Sequence, residues 1–166
     1  MNESVFWQVI ESAWATYPAL DATRKRAISL NQSDALQQLA IVMEQAVVPA
    51  MGIKLMALSR EDLKEFIRLM EYKMYQLDTP ILFQYTRLSE VCFIHARAIV
   101  IGLGKTYFDL VQRHPSKVTP FLEAEYIATL AYKVYEEQFG QPFEKFVKHS
   151  IITRSNETAW AQQEGC

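Results

Sequence analysis

The stretch Val91 to Leu103 constrains this chain more than any other part of it. Wound as a helix, it is apolar on nearly every side, and only His95 and Arg97 interrupt it. A helix that is apolar all round belongs at the centre of a packed array. The run is too short and too polar to span a bilayer, which takes about 20 residues.

The rest of the chain supplies helices to surround that centre. Phe6, Val9, Ile10, Ala13, Trp14 and Tyr17 recur at the spacing of one helical face. Ser4 is placed to cap that helix and Pro18 to stop it. A polar segment, Asp21 to Leu30, reads as a short helix. Asn31 or Ser33 then starts an amphipathic helix whose stripe is Leu36, Leu39, Ala40, Met43, Ala46, Val47 and Ala50. Pro49 is expected to kink or end it, and Gly52 to mark the exit. Ser59 and Asp62 approximate a capping box ahead of Leu63, Phe66, Ile67, Met70, Met74 and Leu77. Thr79–Pro80 and Thr119–Pro120 are cap-plus-proline starts, and Ser89–Glu90 opens the central run. Gly140 is placed as a left-handed cap, and Pro142 to His149 reads as a last short helix.

With only 5 Gly and 6 Pro, turns are few, which disfavours a β-sandwich. The expected fold class is all-α, a compact orthogonal or bundle-like array of about six to seven helices. Its central apolar helix lies near residues 89–104. A chain of 166 residues fits one domain, read as residues 1–152 with a polar C-terminal tail over 153–166. Trp160 is the one large anchor in that tail.

Charge excludes some partners. The 17 basic and 19 acidic residues give a net charge of −2, and no basic stripe suggests nucleic acid. Arg24, Lys25 and Arg26 read as a solvated helix face. The two cysteines, Cys92 and Cys166, do not form a disulfide framework. The opening Met-Asn-Glu-Ser has no basic or apolar leader region, so a cytoplasmic location with reduced thiols and no membrane partner is expected.

The motif Gly102-Leu103-Gly104-Lys105-Thr106 resembles the end of a phosphate-binding loop. Such a loop needs a first glycine where Ile99 stands, so the glycines read instead as a close packing point or a helix break. Arg97 is more informative. A buried guanidinium must be paired, and Glu90 lies on the same face about 10 Å away along the axis. A carboxylate from another helix is the favoured partner. Cys92 and His95 stand three apart, but a zinc site needs three or four ligands. No nucleophile motif is present. Glu123, Glu125, Glu136 and Glu137 read as a solvated face, and Tyr126, Tyr132, Tyr135 and Phe139 as packing aromatics.

Several spaced pieces carry a family resemblance. They are Phe6-Trp7 with Ile10-Glu11, Leu58-Ser59 with Leu63 and Phe66, and Phe93, Arg97, Ile101 and Gly104-Lys105 with Tyr107 and Pro115. Tyr135-Glu136-Glu137 and Gly140 close the pattern. In order and spacing the chain resembles the bacterial domain-of-unknown-function family 4240, over roughly Phe6 to Gly140. Where that family tends to show Ser-Asp-Asp-Gly-Phe, this chain has Ser89-Glu90-Val91-Cys92-Phe93, which keeps one acid. The resemblance implies a helical domain and supplies no activity.

Two functional expectations follow. The first is a non-catalytic binding module, with no catalytic residues, cofactor or metal, whose partner is another protein or a second copy of itself. Its partner would sit on an exposed apolar patch. The second is a small-ligand or anion-binding protein, or an enzyme, with a pocket around Arg97, Glu90 and His95.

Overall fold

The structure is a computed structural model describing residues 1–146 and 148–161. Its regular structure is all helical, with no strand among the described residues. Asn2, not Ser4, caps α1 (Glu3–Ala15), its side chain accepting the Val5 amide at 3.0 Å. Phe6, Ile10, Ala13 and Trp14 form the buried face of α1. Pro18 both ends that approach and opens α2 (Pro18–Ser29) as its first residue.

The next helix is longer than expected. It runs unbroken from Ser33 to Met56, 24 residues, or about 36 Å. It comprises α3 (Ser33–Val42), a π turn over Met43–Val47 and α4 (Val48–Met56). Pro49 does not stop it, because the π turn precedes the proline. The ladder widens there to an i→i+5 bond, with the Val48 amide donating to the Met43 carbonyl. This opens the turn that the proline ring would otherwise meet.

Ser59 caps α5 (Arg60–Gln76) through the Asp62 amide, and Thr79 caps α6 (Pro80–Thr86) through the Leu82 amide. Ser89 caps α7 (Glu90–Gly102) through the Cys92 amide. The central position read for this run holds, with Phe93 and Ala96 to Gly102 all buried. It packs against α5, α6, α8 (Lys105–Arg113) and α9 (Ile127–Phe139).

The two glycines do different work. Gly102 is a close packing point, where a Cβ would overlap the tip of Ile127. Gly104 is the break between α7 and α8, with φ +98. The Lys105 ammonium reaches Asp109 at 2.6 Å.

Two expected helices differ from the structure. No helix starts at Thr119–Pro120. The Phe121 amide donates to the Thr86 carbonyl, and its φ of +56 diverts the chain. Leu122 and Ala124 are buried as single anchors of a non-helical segment, and α9 begins only at Ile127. The described part of Pro142 to His149 forms no helix, and Phe146 takes a φ of +60. Gly140 closes α9 in the left-handed conformation, as expected.

Beyond Thr153 the chain turns back onto the body. Residues up to α10 (Glu157–Ala161) bond to Asp78, and Trp160 packs against Phe83 with ring centroids 5.8 Å apart. Cys166 lies outside the described residues.

Candidate interaction surface

Arg97 sits where the sequence places it, enclosed in the core with no exposed surface. Its Nη2 donates to the Ile151 carbonyl at 2.7 Å, and Nη1 to the Met74 carbonyl at 3.1 Å. Weaker bonds of 3.4 Å reach the Phe93 carbonyl and the Thr153 hydroxyl. A carboxylate from another helix end completes the set, with Asp78 Oδ1 3.8 Å from Nη1. Burial lowers the Arg97 pKa to about 10, and Asp78 holds it up, so the guanidinium stays charged at neutral pH.

Asp78 is equally enclosed. Its two oxygens accept from the Arg154 amide, the Ser155 hydroxyl, the Asn156 amide and Trp160 Nε1 at 3.0–3.2 Å. The pair therefore fastens the C-terminal segment to the body. Arg97, Glu90 and His95 are not gathered into one site. The Glu90 carboxylate pairs outside with Arg154 at 2.8 Å, both more than half exposed. His95 Nδ1 faces Glu123 at 3.9 Å on another side of α7. Cys92 is a free thiol, and no group of three or more metal-ligating side chains occurs among the described residues.

A second buried arginine was missed. Arg24 is 2% exposed, not part of a solvated face. Its guanidinium bonds Glu11 at 2.5 Å, Asp21 at 2.6 Å and the Leu103 carbonyl at 2.8 Å. It also lies 4.9 Å from the Trp14 ring centroid. Asp21 and Arg24, three apart, were the available signal. Two pieces of the family pattern, Ile10-Glu11 and Gly104-Lys105, meet at this cluster. With its donors spent on protein acceptors, the cluster ties α1 and α2 to the α7–α8 junction.

The cavities offer little. An apolar void of about 10 Å³ between Ile10, Met51, Phe66, Gly102, Ile127 and Tyr132 holds at most one water-sized sphere. Tyr132, beside it, donates its hydroxyl to buried Glu71 at 2.9 Å. Burial and the Glu71 charge raise its pKa. A shallow depression of about 520 Å³ runs past Arg68, Tyr72, Lys148 and His149. The His149 ring packs at a tilt against Tyr72, and its pKa is lowered by burial and then by Lys148.

The unusual surface is the outer face of the long helix. Its inner face carries Leu36, Leu39, Met43, Val47, Met51 and Leu55 into the core. Its outer face presents Gln37, Ile41, Gln45, Pro49 and Ile53 at four-residue steps, then Met56 and Ala57. Ile41 is 64% exposed, Ile53 69% and Met56 54%. None of these seven residues is charged. The π turn aligns them. It inserts one residue, so the twelve steps from Ile41 to Ile53 act as about eleven, close to three whole turns of 3.6 residues. This helix is long and apolar enough to cross a membrane, although about half of its most apolar stretch is buried in the fold.

The segment before α9 widens this face. Gln37 donates to the Pro120 carbonyl at 3.0 Å, and Glu44 accepts the Tyr126 amide at 3.2 Å. Ile41 lies between these two ties. The same segment exposes Phe121 (58%) and Tyr126 (49%). Phe121 holds a left-handed backbone, which costs about 1–2 kcal/mol for a residue with a Cβ, and leaves its ring in water. The stripe was hidden in the sequence because Pro49 reads as a stop.

Searches of curated proteins and of solved structures found no match to this chain. A family model, described as protein of unknown function (DUF4240), matches residues 1–137. That span covers most of the chain, α1 to nearly the end of α9, and the chain belongs to the DUF4240 family.

Proposed function

We propose that this protein is a non-catalytic interaction module that binds protein through the outer face of the Ser33–Met56 helix. The supporting observation is the uncharged stripe of Ile41, Pro49, Ile53 and Met56 beside the strained, exposed Phe121. Several large apolar side chains exposed on one face of a helix mark a protein or membrane interaction site. The buried arginines point the same way, because both are committed to protein acceptors. A reduced cytoplasmic setting suits the free Cys92 thiol.

A membrane partner is less well supported. Interfacial helices carry lysines and arginines along their polar flank, and here Lys54 is the one basic residue between Ser33 and Met56.

The test is site-specific photo-crosslinking in native extract, with the crosslinker at residue 53 or, as a control, at exposed Lys117. A discrete protein adduct at residue 53 alone supports the reading. Equal labelling at both positions, or none at either, removes it.

A further inference from the structure

We infer that the chain pairs with a second copy of itself, the two Ser33–Met56 helices packing antiparallel about residue 47. This deepens the reading above and rests on the same face. The pattern along the helix is symmetric about that point. In an antiparallel pair Ile41 meets the partner's Ile53, Gln45 meets the partner's Pro49, and Gln37 meets the partner's Ala57. Every apolar or amide position thus finds an uncharged counterpart, as a two-fold self-complementary interface requires.

Charge sets the direction. The helix carries exposed Asp34 in its first turn and exposed Lys54 in its last. A parallel pair would set Asp34 beside its copy and Lys54 beside its copy. The antiparallel pair brings ends of opposite sign together, and it opposes the helix dipoles.

Size sets the strength. A strip about 36 Å by 10 Å covers roughly 360 Å² on each partner, under the ~800 Å² of a standard interface. Phe121 and Tyr126, fastened beside the same helix, supply added area. The result is a reversible dimer rather than a permanent one.

The purified full chain is examined by sedimentation equilibrium across rising concentration. The mass should climb from 19.2 kDa toward twice that value. Ile41→Glu and Ile53→Glu, both at exposed positions, should each weaken association at least about tenfold, as expected for a charge facing an apolar partner. Spin labels in a Cys92→Ser, Cys166→Ser background then read the direction. Axial separations of about 21 Å for labels at residue 54 and about 39 Å at residue 34 follow from the helical rise.

Equal distances at both positions would mean parallel packing and overturn the inference. So would undiminished association in both glutamate variants, or a mass fixed at the monomer. A monomer that cosediments with phosphatidylcholine vesicles through Ile53 would assign the face to lipid and likewise overturn it. A monomer whose residue 53 still captures another protein in extract would sink the dimer but leave the protein-binding reading standing.

Discussion

The Arg97 guanidinium and the Asp78 carboxylate lie 3.8 Å apart, and neither side chain reaches solvent. One is on the central helix and the other just past the end of α5. Around them close the Met74 carbonyl and the segment from Ile151 to Trp160. Removing one member of such a pair leaves a buried charge without its counterion. Asp78→Ala should therefore cost about 3–5 kcal/mol in urea unfolding. Arg97→Lys should not be tolerated, since one ammonium cannot serve acceptors arranged for a fork.

Truncation after Ser150 should leave far-UV helicity nearly intact while lowering the unfolding midpoint. The truncated chain keeps α1 to α9 but strips Asp78 of four donors and Arg97 of the Ile151 carbonyl. Arg97→Met should then cost less in the truncated chain than in the whole one, a coupling a double-mutant cycle would measure. Equal costs in both backgrounds would show that the segment does not depend on the pair.

Gly104 and Gly140 both hold positive φ, +98 and +67, but only one is crowded. A Cβ at Gly104 would run into the Glu11 and Arg24 side chains, whereas one at Gly140 meets nothing within 4 Å. Gly140→Ala should cost about 1–2 kcal/mol, the left-handed penalty alone. Gly104→Ala should cost more, and thermal unfolding of the two variants gives the difference.

Much of the architecture was legible because caps and periodicity agree. Ser59, Thr79 and Ser89 cap the helices they precede, and the apolar run does lie at the centre. Where the reading went astray, local rules met tertiary ones. Pro49 is a helix stop only on a regular ladder, and the π turn is not regular. Thr119–Pro120 is a start signal, but the Phe121 bond to Thr86, 35 residues earlier, overrides it. Arg97 could be recognised from its apolar neighbours. Arg24 was masked, because lysine and arginine beside it imitate an exposed face; Asp21 three residues before it was the one local hint, while Glu11 and the Leu103 carbonyl come from outside its helix. The outer stripe was present as four-residue steps, but its meaning depends on which face the core covers.

Glu3 accepts from Lys73 at 2.9 Å and from Trp7 at 3.3 Å. The hydrogen bond from Lys73 does most to hold its pKa below the ordinary 4.5, against the pull of burial. On acidification the unfolded chain takes this proton first. The pair's contribution is therefore full above the ordinary value and lost as pH falls through the folded one. Glu3→Gln should lower the melting temperature at pH 7, and the loss should shrink as the pH is taken down through and below the ordinary carboxylate range. A loss that stays the same at every pH would trace the effect to packing.

Phe121→Asn separates folding from association. Asparagine accepts the left-handed backbone with less strain, so stability should hold or rise by about 1 kcal/mol. The same change removes a ring from the proposed interface, so sedimentation should show weaker pairing. A destabilised variant would mean that the half-exposed ring supports the fold.

The π turn makes the stripe tolerant of a change that would scramble an ordinary helix. Deleting any single residue from Met43 to Val47 would return the helix to a regular ladder, and the eleven steps then left between Ile41 and Ile53 would still close about three turns. Ile53 and Met56 would keep the side that Ile41 occupies, and Met51 and Leu55 would stay in the core. What the deletion would take away is the widened turn ahead of Pro49, so the proline ring would meet a regular ladder and strain it. The extra residue is thus a spacer that lets one helix carry both a proline and an unbroken outer face.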